Sequence, residues 1–145
     1  MKNFHIRLCT NIDFTSVFEL LKQLWPALLL NFEALQVVYE NALKSDKQKL
    51  IVGLIDNKIV GFCSLTITNN LWQAGNLGHI DELVVENSFR RQGIGKKLMD
   101  EITKVAKDHH CKRIELDSAF HRKDAHMFYE QSGYENRAYL FSKEI

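Results

Sequence analysis

The segment HIDELVVENSFRRQGIGKKLM, His79 to Met99, restricts the possible folds more than any other part of the chain. HIDELVV (His79 to Val85) reads as a strand. After a short polar stretch come Gly93 and Gly95, and then a helical pattern. Ile94, Leu98, Ile102, Val105 and Ala106 form one apolar stripe, while Lys97, Asp100, Glu101, Lys104 and Asp108 face away. A helix with a single apolar stripe must bury it, and the strand leading into it belongs to the sheet that offers the surface. The next β-type run, KRIELDS (Lys112 to Ser118), comes directly after the helix, so the unit is a crossover joining two parallel strands.

The remaining elements extend this unit. FHIRLC (Phe4 to Cys9) alternates and predicts a strand. Asp13 is placed to cap a helix on which Phe14, Val17, Leu21 and Leu24 recur at helical spacing until Pro26. A second helix is predicted from about Phe32 to Lys44. Leu50 to Ile55 and Ile59 to Ile67 form a hairpin around Asp56-Asn57-Lys58, a short helix runs from about Asp124 to Ser132, and RAYLFSKEI supplies a last strand. The order βααβββαβαβ predicts one domain over residues 1–145. Its class is α/β (α+β by some schemes), a mixed sheet covered by helices.

Composition narrows the functions. Nineteen Lys and Arg balance eighteen Asp and Glu, and 46% of residues are apolar, so no strong field points to nucleic acid as a partner. Cys9, Cys63 and Cys111 are odd in number and lack a Cys-x-x-Cys pair, which suggests neither a disulfide framework nor a thiolate metal site; a cytoplasmic location is expected. LWPALLL, from Leu24 to Leu30, is too short to span a membrane and has no charged segment before it of the kind a signal peptide carries. No pair among the six histidines has the i, i+4 spacing of a helical zinc site, so no metal is expected.

Two glycines at a strand-to-helix junction let backbone N–H groups converge at the positive end of a helix, which suits a phosphate. The dinucleotide fingerprint does not fit, because Leu98 stands where its third glycine belongs. A P-loop does not fit either: Arg90 occupies the first glycine position and Lys97 the hydroxyl position. The pattern left is Arg90-x-x-Gly93-x-Gly95. With AHMFYEQSGYE downstream, similar to a helix ending in a Phe-Tyr-Glu-x-x-Gly-Phe/Tyr signature, the chain resembles the GNAT superfamily of N-acetyltransferases, most specifically from Gly78 to Tyr134.

That resemblance implies a GNAT fold, whose mixed, mostly antiparallel sheet has one splayed parallel pair of strands and flanking helices. It also implies acetyl-CoA as cosubstrate. Leu83, Val84 and Val85 are expected to meet the pantetheine, with the backbone groups of Leu83 and Val85 pairing like an added strand. Arg90, Arg91, Gln92, Gly93, Ile94, Gly95 and Lys96 are expected around the pyrophosphate, and Ala125 and Phe128 beside the cofactor. Many relatives carry asparagine where this chain has Ala125. Tyr129 is the expected general acid for the departing thiolate. Asp81 and Glu82 are the candidate bases for the amine; strand alternation is expected to aim them at opposite faces, and Glu82 is favoured. His79 is a third candidate.

The acceptor is expected to be the primary amine of a small molecule. FHRKDAHMFYEQSGYE with YLFSKEI resembles aminoalkylphosphonate N-acetyltransferases, while LLKQLWP and the same ending resemble aminoglycoside 6′-N-acetyltransferases. Trp25, Phe32, Trp72, His79 and His121 are the candidate acceptor contacts. A protein or peptide N-acetyltransferase and a non-catalytic acetyl-CoA sensor are the alternatives. A homodimer is expected, because the terminal strand leaves a sheet edge that needs cover.

Overall fold

The computed structural model describes residues 3–145. Its elements are β1 (Phe4–Leu8), α1 (Phe14–Leu24), α2 (Phe32–Lys44), β2 (Gln48–Ile55), β3 (Lys58–Asn70), β4 (Gly75–Val85), α3 (Ile94–Asp108), β5 (Cys111–Leu116) and α4 (Lys123–Gln131). The sheet order is β1-β2-β3-β4-β5, with β4 and β5 parallel and every other pair antiparallel. The β2–β3 hairpin turns on Asp56 (φ 48°) and Asn57 (φ 67°), the left-handed pair that a two-residue turn requires. Asp13 precedes α1 but does not cap it as predicted. Its carboxylate instead accepts from the Thr10 N–H (2.8 Å) and from both Arg7 terminal nitrogens (2.7 and 3.0 Å).

Each face of the sheet carries its own core. On one, Phe14, Val17, Phe18 and Leu21 of α1 pack with Tyr39 of α2 on Val52, Phe62 and Val84. On the other, the predicted α3 stripe of Ile94, Leu98, Ile102 and Ala106 lies on Ile51, Cys63, Leu65 and Ile80. The predicted last strand does not form. Residues 135–145 carry no strand assignment and are exposed, and Tyr139, Leu140 and Phe141 reach solvent. The outer edge of β5 is therefore unpaired among the described residues.

Candidate active site

β4 outlasts its parallel neighbour. The last β4–β5 pair is Ile80 with Leu116, yet β4 runs on to Val85, so the strands part from residue 81 onward. On the β3 side, Glu86 N–H donates to Val60 O (2.8 Å) and Glu82 N–H to Ser64 Oγ (3.0 Å). Residues 82, 84 and 86 thus turn their backbone toward β3, and Leu83 and Val85 turn theirs toward the gap. The backbone of Val84 therefore faces β3, and its side chain is buried in the α1–α2 core. The Val85 carbonyl already accepts from Arg90 Nε (2.9 Å), which ties the loop to the strand.

The loop from Glu86 to Gly93 opens α3. Arg91 (φ 62°) and Gly93 (φ 84°) are both left-handed, and a Cβ on Gly93 would meet no protein atom within 4 Å. Packing therefore does not demand glycine here; backbone conformation and open approach do. The first helical bond runs from Lys97 N–H to Gly93 O (3.1 Å), leaving the N–H groups of Ile94, Gly95 and Lys96 without helical partners at the positive end of a 15-residue helix. These donors suit a pyrophosphate. Arg91 and Gln92 are exposed beside them, while Lys96 Nζ pairs with Asp100 (2.8 Å) and Lys97 Nζ lies over the Phe4 ring. Ring Cζ of Phe128 would stand 3.7 Å from a Cβ on Gly95, which sets α4 against the loop, and Ala125 is half-buried one turn earlier.

Both candidate bases lie on one face of the sheet, contrary to strict alternation. The β3 register jumps from Ser64↔Glu82 to Leu65↔Ile80, leaving Asp81 as the extra residue of a β-bulge. Ser64 Oγ donates to Glu82 Oε1 and Thr66 Oγ1 to Asp81 Oδ2, each at 2.5 Å. Ser64 and Thr66 are two residues apart and share the face of Phe62, the α1–α2 face. Burial raises the Glu82 carboxyl above its ordinary range, with the Ser64 bond opposing. Asp81 is held by Thr66 and by His79 Nδ1 (2.9 Å), and His79 Nε2 meets Asp117 Oδ2 (3.1 Å). Both imidazole nitrogens of His79 thus face a carboxylate.

Tyr129 stands on the other face, half-buried against the α3-side core with its ring 5.6 Å from Phe128 and 6.1 Å from Tyr134. Burial raises its phenol above the ordinary value, and Arg122 opposes the shift. Glu82 and Tyr129 thus lie on opposite faces of the sheet. The expected acceptor contacts disperse. Trp25 and Phe32 pack on the α1–α2 core, Phe32 edge-on to Phe14 and Phe18. His121 is exposed in the turn before α4. Trp72 lies in the β3–β4 turn with the guanidiniums of Arg113 and Arg137 over its ring, beyond the start of β4 at Gly75, which is itself six residues and so roughly 20 Å along the strand from Asp81. Ser64, Thr66 and Asp117 were not among the expected site residues. The readable signal for the first two is a pair of hydroxyls two apart within the apolar run from Ile59 to Ile67.

The sequence matches the Acetyltransferase (GNAT) family over residues 14–134. Aminoalkylphosphonate N-acetyltransferase of Salmonella typhimurium is 29% identical over 140 residues, covering 97% of this chain and 90% of that protein. Among solved structures, glucosamine-6-phosphate N-acetyltransferase from Arabidopsis thaliana is 28% identical with a TM-score of 0.81, covering 99% of both chains. Aminoglycoside N-acetyltransferase AAC(6')-Iy in complex with CoA shares the fold, with a TM-score of 0.87 at 19% identity, covering 100% of this chain and 97% of that one. The chain belongs to the GNAT family of acetyltransferases, and it is an acyltransferase enzyme. Among the described residues no helix is long and apolar enough to cross a membrane.

Proposed function

We propose that residues 1–145 act as one domain that moves the acetyl group of acetyl-CoA to a primary amine of a small molecule, an aminoalkylphosphonate-like or aminoglycoside-like acceptor. The observation that carries this reading is the gap beyond Ile80, with Glu82 on one face and Tyr129 on the other. Acetyl-CoA supplies an acyl thioester when bound. The Leu83 backbone and the Val85 N–H bind its pantetheine as an added strand, and the free N–H groups of Ile94, Gly95 and Lys96 bind its pyrophosphate with Arg91 nearby.

An alkylammonium with a pKa of ~10.4 is neutral in only about one part in 2,500 at pH 7, so a base has to take its proton. Glu82 does so, directly or through a water; its raised affinity for protons suits it to that step better than an ordinary carboxylate. Tyr129 holds a proton for the sulfur. Giving a proton from a phenol near ~10 to a thiolate near ~8.5 is uphill by about 2 kcal/mol, and burial of Tyr129 adds to that, so its hydroxyl works mainly as a strong hydrogen-bond donor followed by reprotonation. We further propose that the enzyme is cytoplasmic and dimeric, with the unpaired β5 edge and residues 135–145 as the surface a second copy covers. The direct test is release of free thiol from acetyl-CoA with a panel of aminoalkylphosphonates, aminoglycosides, polyamines and peptide N-termini. A binder of acetyl-CoA that transfers to none of them would contradict this reading.

A further inference from the structure

We propose that His79 is a positioning residue: a charged clasp that ties Asp117, just past the end of β5, to Asp81 at the bulge of β4, fixing the apex of the gap and placing one positive charge beside Glu82. His79 pairs in register with Glu115, and the next pair, Ile80 with Leu116, is the last before the strands part. The clasp therefore sits where the gap begins. Its ring nitrogens meet Asp81 Oδ1 at 2.9 Å and Asp117 Oδ2 at 3.1 Å. Carboxylates only accept, and a neutral imidazole has a single N–H, so both bonds form only when the ring is an imidazolium. Thr66 Oγ1 holds the other oxygen of Asp81, so a continuous chain of bonds runs from β3 through β4 to the end of β5. The two Asp partners push the ring up to about 9, the Asp81 bond contributing most.

The charge has a second consequence. The groups acting on Glu82 are burial, the Ser64 hydroxyl, the Asp81 carboxylate and the His79 imidazolium; Asp117 reaches it only through His79. Cys63, next to Ser64 on β3, is held as a thiol by burial and carries no charge. His79 is thus the cation that offsets Asp81 beside the proposed base. Without it, Glu82 would stand half-buried beside an uncompensated carboxylate and bind its proton more tightly.

The role assigned to Glu82 rests on the reading above, but the clasp can be tested without any acceptor. Imidazole ¹⁵N resonances of the full chain should show the His79 ring protonated at both nitrogens at pH 7.5. In Asp117→Asn, which leaves His79 in place, its titration midpoint should fall. In His79→Gln, the ¹³C carboxyl titration of Glu82 should move upward. The acid limb of kcat/KM, measured with any amine from the panel, should move the same way. A structural role alone would lower the melting temperature of His79→Gln and leave both titrations in place. A singly protonated ring at pH 7.5 in the wild-type chain overturns the proposal, as does an unmoved Glu82 midpoint in folded His79→Gln. If His79→Gln does not fold, an unchanged His79 midpoint in Asp117→Asn does the same. Correct titrations with no acetyl transfer to any amine would sink the functional reading and leave the clasp standing.

Discussion

Gly93→Ala separates two reasons for a glycine at the start of α3. Gly93 has φ +84° and no protein atom within 4 Å of where a Cβ would stand, so the cost to folding is backbone strain alone, about 1–2 kcal/mol for an L-residue in left-handed conformation. Gly133, after α4, has φ +91° and equally open surroundings, so Gly133→Ala carries the same strain outside the loop. Both variants should melt a few degrees lower, at about 2–4 °C per kcal/mol for a chain of this length. Acetyl-CoA affinity should distinguish them. If the pyrophosphate approaches the backbone at Gly93, a methyl group there lengthens at least one charge-assisted hydrogen bond. Losing such a bond is worth about 1.5–3 kcal/mol, or roughly 10- to 150-fold in Kd. Calorimetric titration with acetyl-CoA, at a temperature where both variants are folded, should show that loss for Gly93→Ala and none for Gly133→Ala. Gly93→Val should lose at least as much. Equal affinities in the two alanine variants would refute the placement of the pyrophosphate.

Tyr129→Phe removes one hydroxyl and almost no volume; turnover should fall by ~10²–10⁴-fold with acetyl-CoA affinity unchanged, and a variant keeping more than about half its turnover where chemistry limits the rate would exclude the phenol. Asp13→Ala should cost about 1–3 kcal/mol in urea unfolding, because the Thr10 N–H and the Arg7 guanidinium lose their shared acceptor. The Arg7 bond holds the Asp13 carboxyl below its ordinary 3.8, so this stabilisation is full above 3.8 and is lost as pH falls through the lower folded value. An acid-unfolding curve that is the same with and without Asp13 would contradict that assignment. Light scattering at micromolar concentration should give the mass of two chains, and a monomer would remove the dimer.

Local pattern was enough for most of the elements. The bounds predicted for α2, Phe32 to Lys44, are those observed, and the α3 stripe lands on the sheet as its spacing requires, because helical periodicity and burial are the same fact seen twice. The left-handed glycine before α3 was legible for a similar reason: a backbone need shows directly as a residue type. RAYLFSKEI has strand composition yet pairs with nothing, although the outer edge of β5 stands open among the described residues; β propensity alone does not specify a pairing. Asp13 failed as a cap because Arg7, on β1, outcompetes the helix N–H groups for its carboxylate.

The sequence by itself determined the strand-loop-helix unit, the cluster of free N–H donors it creates and the family to which the chain belongs, since each is written in residues close together along the chain. Only the tertiary structure decided the arrangement of charge at the gap. The slip of one residue between β3 and β4 turns Asp81 and Glu82 onto a single face, where alternation along β4 alone would have separated them. The end of β5 brings Asp117 within 3.1 Å of His79 across 38 positions of sequence, so that both ring nitrogens face a carboxylate. Register and strand length are settled by what each strand pairs with, and that information lies in no single segment.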